Sequence, residues 1–183
     1  APRDLRRQLL DLIEHEASFG AEGEIVMKCN SIADDEMVEA LYAASEAGVR
    51  IELLVRGICC LRAGVPGMSE NIRVRSILGR YLEHSRIYRF KHGNVVVNGR
   101  LPGAQSDEVY LIGSADLMPR NLNRRVEVLV PIEHARHRAW LDQAINFQLA
   151  DGIVCWELQP DDTWLRMGPT DVFEPHPQEQ MYR

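Results

Sequence analysis

The sequence predicts a mixed α/β domain with a largely parallel central sheet flanked by helices, and three observations carry that expectation. Residues 24–55 read as strand, helix and strand: EIVMKCN, then Met37, Val38, Leu41, Tyr42 and Ala44 at helical spacing, then VRIELLV. Such a βαβ unit sets its two strands parallel. A chain of 183 residues, 45% hydrophobic and 26% charged, can bury one good core and would be cramped as two domains. Amphipathic helical patterns stand before the first strand and after the last apolar one, where they can cover a sheet. The expected unit is one domain over residues 1–183, with its core at about 24–149 and an irregular tail at 150–183.

Each element follows from its pattern. Residues 3–18 carry Leu5, Leu9, Leu12 and Ile13 on one helical face, stopped by Gly20 and Gly23. Ser31 and Asp34 are candidate N-caps for a helix over 35–47, which Gly48 ends. Beyond the second strand, RGICCLRAGVPGMSEN is a glycine-rich stretch at the carboxyl end of a parallel strand, where open α/β sheets collect ligands. IRVRSIL (72–78) is a short strand. In GRYLEHSRIYRF (79–90), His84, Arg86 and Tyr88 share one face of a strand-like run by its period of two. NVVVN then leads to a polar insert, GRLPGAQSD, expected as a solvent-side hairpin. VYLIG (109–113) is a buried strand, SADLMPRNLNRR a turn-rich connection, RVEVLVPI (125–132) another strand, and about 134–149 an amphipathic helix. The tail, with Trp156, Trp164 and several prolines, shows little regular pattern and is expected to wrap against the sheet or a further domain.

The formal charge of −6 and pI near 5.5 give no general footprint for nucleic acid or an anionic membrane, so any anion site is local. Of 21 basic residues only Lys28 and Lys91 are lysines. Base composition explains that as well as function does, although arginine's planar fork suits phosphate. Four cysteines, Cys29, Cys59, Cys60 and Cys155, lack CxxC or Cys/His metal spacing and read as reduced thiols, so a cytoplasmic location is expected. No apolar run approaches the roughly 20 residues that cross a bilayer. Contact with a membrane surface stays open. No P-loop, GxGxxG or HExxH pattern is present. The helical start without a Met suggests a piece of something longer.

Four polar clusters sit at expected strand ends: Arg56 before Gly57; His84 with Arg86; Ser114, Asp116 and Arg120 with nearby amides Asn121 and Asn123; and Arg125 with Glu127. Each has a plain alternative, respectively a surface arginine, a solvated histidine, a capped turn and a salt-bridge partner. Converging, three arginines and a histidine would make a site for a multiply charged phosphate, since arginines supply the electrostatic stabilisation phosphoryl transfer needs. His15, His134, His137 and His176 read as helix-face, surface or tail residues.

LLVRGICCLRAGVPGMSENIRVRSILGRYLEHSRIYRF and VYLIGSADLMPRNLNRRVEVLVPI closely resemble the C-terminal part of bacterial polyphosphate kinases, most strongly over about 24–132. The resemblance implies a phospholipase D-like fold. EHSRIY stands where that superfamily has His-x-Lys, with Arg86 for the lysine, and IGSADLMPRNL resembles its Gly-Ser-x-Asn turn, with Asp116 for the asparagine. It further implies reversible transfer of the terminal phosphate of ATP to inorganic polyphosphate, with magnesium accompanying ATP and a phosphohistidine in a preceding domain. Carried over by motif, Arg56, His84, Arg125 and Glu127 are the ATP/phosphate contacts. His84 assists catalysis, and Arg86, Ser114 and Asp116 support it. ADP, polyphosphate, the remaining domains of a parent chain and a homo-oligomer are the implied partners, and no metal ligands are expected here. Two rival functions remain: a non-catalytic phosphate-binding module, and a phospholipase D-like phosphodiesterase with His84 as nucleophile.

Overall fold

A computed structural model describes residues 4–79, 81–93 and 107–169. Helix α1 (Leu5–Ala17) buries Leu5, Leu9, Leu12 and Ile13, the stripe expected of a helix on a core. Its one buried carboxylate, Glu16, accepts from the backbone N–H groups of Glu24 and His92, each at 2.9 Å, which offsets the cost of burying it. Strand β1 (Glu24–Cys29) follows a short 3-10 turn, and helix α2 (Asp35–Glu46) follows β1. Of the two candidate caps it is Asp34 that accepts from Met37 N, at 3.4 Å, while Arg6 grips the same carboxylate at 2.5 and 2.6 Å.

Strand β2 (Arg50–Val55) lies parallel to β1, from Glu24 opposite Arg50 to Cys29 opposite Val55. Strand β3 (Ile72–Ser76) is parallel to β2. The βαβ expectation therefore holds. Parallel pairing stops there. Strand β4 (Ile87–Phe90) runs antiparallel to β1, β5 (Val109–Gly113) to β4, and β6 (Leu129–Pro131) to β5. At the opposite end β7 (Cys155–Leu158) runs antiparallel to β3 and β8 (Trp164–Met167) to β7. The described strands form one sheet in the order β6-β5-β4-β1-β2-β3-β7-β8.

The expected largely parallel sheet is thus mostly antiparallel, with two parallel pairings and five antiparallel ones. The reason is connectivity: parallel neighbours need a long crossover, and between β5 and β6 the chain has only the five-residue helix Pro119–Asn123. Two further expectations change. RVEVLVPI forms a strand only at Leu129–Pro131, because Glu127 turns into the protein while Val126 and Val128 stay exposed. Within the expected irregular tail, residues 155–167 form the β7–β8 hairpin that extends the sheet; its exposed Trp156, Trp164 and Leu165 hide the usual alternation. NVVVN, most of the polar insert and the tail from residue 170, including His176, lie outside the described residues.

The two faces of the sheet differ. One carries Ile25, Met27, Ile51, Leu53, Tyr88, Phe90 and Leu111 against Leu9, Leu12, Met37 and Leu41 of α1 and α2. On the other, Val26, Ile87 and Tyr110 meet Leu141 and Ile145 of helix α4 (Ala135–Leu149), which follows the short α3 (Pro119–Asn123) and β6. That second face also holds buried charges, and they are paired: Arg89 with Glu24 and with Asp142, Arg75 with Glu157 and the carbonyl of Leu149.

Topology creates the site. After β3 the chain must reach β4 on the far side of β1 and β2, so residues 77–79 and 81–86 lie at the edge where β1, β2 and β3 end. Antiparallel neighbours bring the end of β5 and the start of β6 to that same edge.

Candidate functional site

Asp116 organises the edge. Its Oδ1 accepts from the backbone N–H of Asn30 at 2.7 Å, from Asn30 Nδ2 at 3.2 Å and from Arg86 Nε at 3.1 Å, and its Oδ2 accepts from Arg86 Nη2 at 2.8 Å. Burial alone would raise the carboxyl pKa, but the hydrogen bonds from Arg86 and Asn30 prevail and hold it below the ordinary range. The two-pronged contact uses the fork geometry that arginine offers and lysine does not.

Arg86 is therefore not a free anion binder. Its remaining nitrogen, Nη1, donates to the carbonyl of His84 at 2.9 Å and lies 2.6 Å from His84 Nδ1. His84 itself is exposed. Tyr88, expected on the same polar face, is fully buried, and its hydroxyl donates to the carbonyl of Ala115 at 2.7 Å. The face is polar only at its outer end, because β4 begins at Ile87 and enters the core at once.

Glu127 is buried beneath the neighbouring turn. It accepts from Asn121 Nδ2 at 2.6 Å and from the hydroxyl of Ser114. Ser114 is thereby oriented, and its oxygen accepts from Val128 N at 3.3 Å. The β5–β6 approach is close: a Cβ on Gly113 would lie 1.9 Å from the carbonyl oxygen of Val128. Only glycine fits there.

Arg56 leaves the end of β2 and donates to Asn30 Oδ1 at 3.2 Å. Gly57 follows, its N–H bonded to the Asn30 carbonyl at 2.7 Å. Arg125 is exposed two residues before Glu127. Among the described residues neither Arg56 nor Arg125 has a carboxylate partner, so their charge is open to a ligand.

The structure thus brings Arg56, His84, Arg86, Ser114, Asp116 and Glu127 to one sheet edge, with Arg125 beside it. The sequence reading missed Asn30, which ties Arg56 to Asp116; its position at the end of β1, matching Arg56 at the end of β2, was the available signal. Lys28 was missed too. It is buried on the α4 side, paired with Glu83 and donating to Gln148 Oε1 at 2.9 Å, and so pins the crossing loop one residue before His84. A cavity of about 670 Å³ opens between this loop, the sheet and α4, and Ile87, Ile112, Val130, Trp140, His84 and Arg86 are among the residues that line it.

The carboxylates at the edge are committed to protein donors. Among the described residues no group of three or more His, Cys, Asp or Glu forms a metal cage. No helix described is long and apolar enough to cross a membrane.

Comparison with known proteins gives this arrangement a context. Residues 1–178 match the family model described as polyphosphate kinase C-terminal domain 2. The chain is 52% identical over 171 residues to a polyphosphate kinase of Erythrobacter litoralis, covering 91% of this chain and 23% of that protein. It is 48% identical over 172 residues to one of Synechocystis sp., covering 92% and 22%. The chain spans less than a quarter of the length of these curated relatives. Among solved structures, polyphosphate kinase from Porphyromonas gingivalis superposes with a TM-score of 0.82 at 34% identity, over 98% of this chain and 26% of that one. Nuc, a phospholipase D family member from Salmonella typhimurium, matches at a TM-score of 0.52 and 14% identity over 90% of this chain and 91% of that one, a likeness of fold.

Proposed function

The chain belongs to the polyphosphate kinase C-terminal domain 2 family, and from that premise we propose that it supplies half of the active site of an ATP:polyphosphate phosphotransferase. The reaction is reversible transfer of the terminal phosphate of ATP to inorganic polyphosphate, and ADP is the other product. The observation that carries this reading is the pair of guanidiniums, Arg56 at the edge that holds His84 and Arg125 beside it, neither of which has a carboxylate partner among the described residues. A polyanion is attracted there although the chain as a whole is acidic.

In this reading Arg56 and Arg125 bind phosphate oxygens and His84 contacts the transferring group. Glu127 contributes from beneath by fixing Ser114 and Asn121, and Asp116 by fixing Arg86 and Asn30. The cavity beside His84 has room for the nucleoside half of ATP. Preorganised donors of this kind lower the barrier because they need no reorientation as charge develops. Magnesium would arrive on the nucleotide, because the carboxylates of Asp116 and Glu127 are already engaged by Arg86, Asn30, Ser114 and Asn121. The phosphorylated histidine belongs, on this proposal, to a preceding domain of a parent chain. A cytoplasmic setting and a homo-oligomeric parent complete it.

The test is ATP-dependent polyphosphate synthesis by the intact parent polypeptide, with covalent phosphate measured alongside. His84→Ala is expected to retain phosphate uptake from ATP while turnover falls by about 10²–10³-fold, the usual cost of losing one preorganised donor. Arg56→Ala is expected to raise KM for ATP as well. An intact parent that makes no polyphosphate would overturn the proposal. Acid-labile phosphate on His84 would instead make that residue the nucleophile.

A further inference from the structure

The contact between Arg86 and His84 decides what the imidazole can do. A guanidinium has five N–H donors and no acceptor, so at 2.6 Å His84 Nδ1 must present its lone pair to Arg86 Nη1. An imidazole accepting at Nδ1 carries its proton on Nε2. Arg86 is held firmly in this role, because Asp116 takes its Nε and Nη2 while the carbonyl of His84 takes a second bond from Nη1. Asp116 is in turn fixed to the backbone of the β1 end through Asn30 N–H.

This is the reverse of a nucleophile's or general base's surroundings. In a Ser-His-Asp triad a carboxylate accepts from Nδ1–H, which leaves the Nε2 lone pair free to take a proton. Here a carboxylate is also present, but an arginine stands between it and the ring, and the polarity inverts. A nucleophilic Nε2 would need the proton moved to Nδ1. A proton-donating imidazolium would carry N–H at both nitrogens. Either state sets Nδ1–H against Arg86 N–H, and the ring would have to leave its partner.

We infer that Arg86 fixes His84 as the neutral Nε2–H tautomer, so that His84 donates a hydrogen bond to a phosphoryl oxygen without itself transferring a proton or forming a phosphate bond. Its contribution is electrostatic stabilisation, and Arg86 is a positioning residue that acts through it. The identity of the acceptor rests on the phosphotransfer reading above. The tautomer does not.

Two measurements test the two parts separately. The first is long-range ¹H–¹⁵N NMR of the 183-residue chain with ¹⁵N-histidine, His84 being assigned by its loss in His84→Gln. The expected result near neutral pH is a pyrrole-type Nε2 and a pyridine-type Nδ1, with Arg86→Met giving a tautomer mixture. A dominant Nδ1–H form or an imidazolium in the unsubstituted chain would overturn the inference, whatever the protein catalyses. The second is turnover by the intact parent. Gln carries an amide N–H at about the reach of Nε2 but can neither attack phosphate nor give up a proton. His84→Gln should therefore stay within about tenfold of the unsubstituted parent while His84→Ala falls by about 10²–10³-fold. If both substitutions, with unchanged melting temperatures, lose activity equally, His84 does more than donate a hydrogen bond and the inference fails. If the unsubstituted parent makes no polyphosphate, the functional reading fails and the NMR result stands on its own.

Discussion

Asp116 shows how one residue couples the site to stability. Its side chain is 7% exposed and that of Arg86 10%, so removing the negative partner strands a nearly buried guanidinium. Asp116→Asn is expected to cost roughly 1–3 kcal/mol near neutral pH, read from urea unfolding of the chain. The pH dependence has a definite sign. The folded-state pKa lies below the ordinary value, so the unfolded chain takes up the proton first. The stabilisation is complete above the unfolded value of about 3.9 and is lost as pH falls through the folded one. The stability gap between the unsubstituted chain and its Asp116→Asn variant should therefore be full near neutral pH and largely gone once the medium is acidic enough to protonate the folded carboxyl. At this scale the sequence disclosed residue types and concealed partners. Arg86 and Asp116 were both singled out, yet nothing in a linear chain says that they hold each other across 30 residues while Arg56 and Arg125 have no carboxylate partner among the described residues.

Among the elements, the parallel unit was legible because β1 and β2 each carry four apolar residues in six, including the adjacent runs Ile25–Met27 and Leu53–Val55, the mark of strands covered on both faces. The β7–β8 hairpin was not, because an edge hairpin with three large exposed side chains resembles a loop in pattern. RVEVLVPI misled in the opposite direction: its alternation is real, but it serves to bury Glu127 beneath Ser114 and Asn121 and does not extend the strand. The β5–β6 approach yields a sharp prediction. Gly113→Ala puts a methyl into the Val128 carbonyl, so the two strands must part, and Ser114 and Glu127 with them. Destabilisation of at least about 2 kcal/mol is expected by thermal melting, together with a loss of turnover in the intact parent. Leu53→Ala, at the centre of the larger core, should cost about 2–5 kcal/mol through the cavity it leaves, without a specific effect on the edge residues.

For the whole molecule, the contrast is between a closed core and an open site. The core is covered on both faces by the chain's own helices, whereas Arg56 and Arg125 stand at the edge with no described counter-charge. The proposed division of the active site between domains therefore predicts that the 183-residue chain unfolds cooperatively in urea but shows no ATP-dependent polyphosphate synthesis, assayed beside an active parent. Measurable turnover by the chain alone would contradict that division. The order of the sheet adds a kinetic consequence. The edge is joined by contacts between residues 55 apart, Lys28 with Glu83, and 86 apart, Asn30 with Asp116. Local pairing can assemble β1, α2, β2 and β3 early, and with them Arg56 and Asn30, but His84, Arg86 and Asp116 join the edge only when β4 enters beside β1 on the far side, a non-local step that comes with the larger loss of chain entropy. A folding intermediate made of the parallel unit alone would thus hold Arg56 and Asn30 but lack His84, Arg86 and Asp116, so full ligand-dependent protection is expected only in molecules that have completed the sheet.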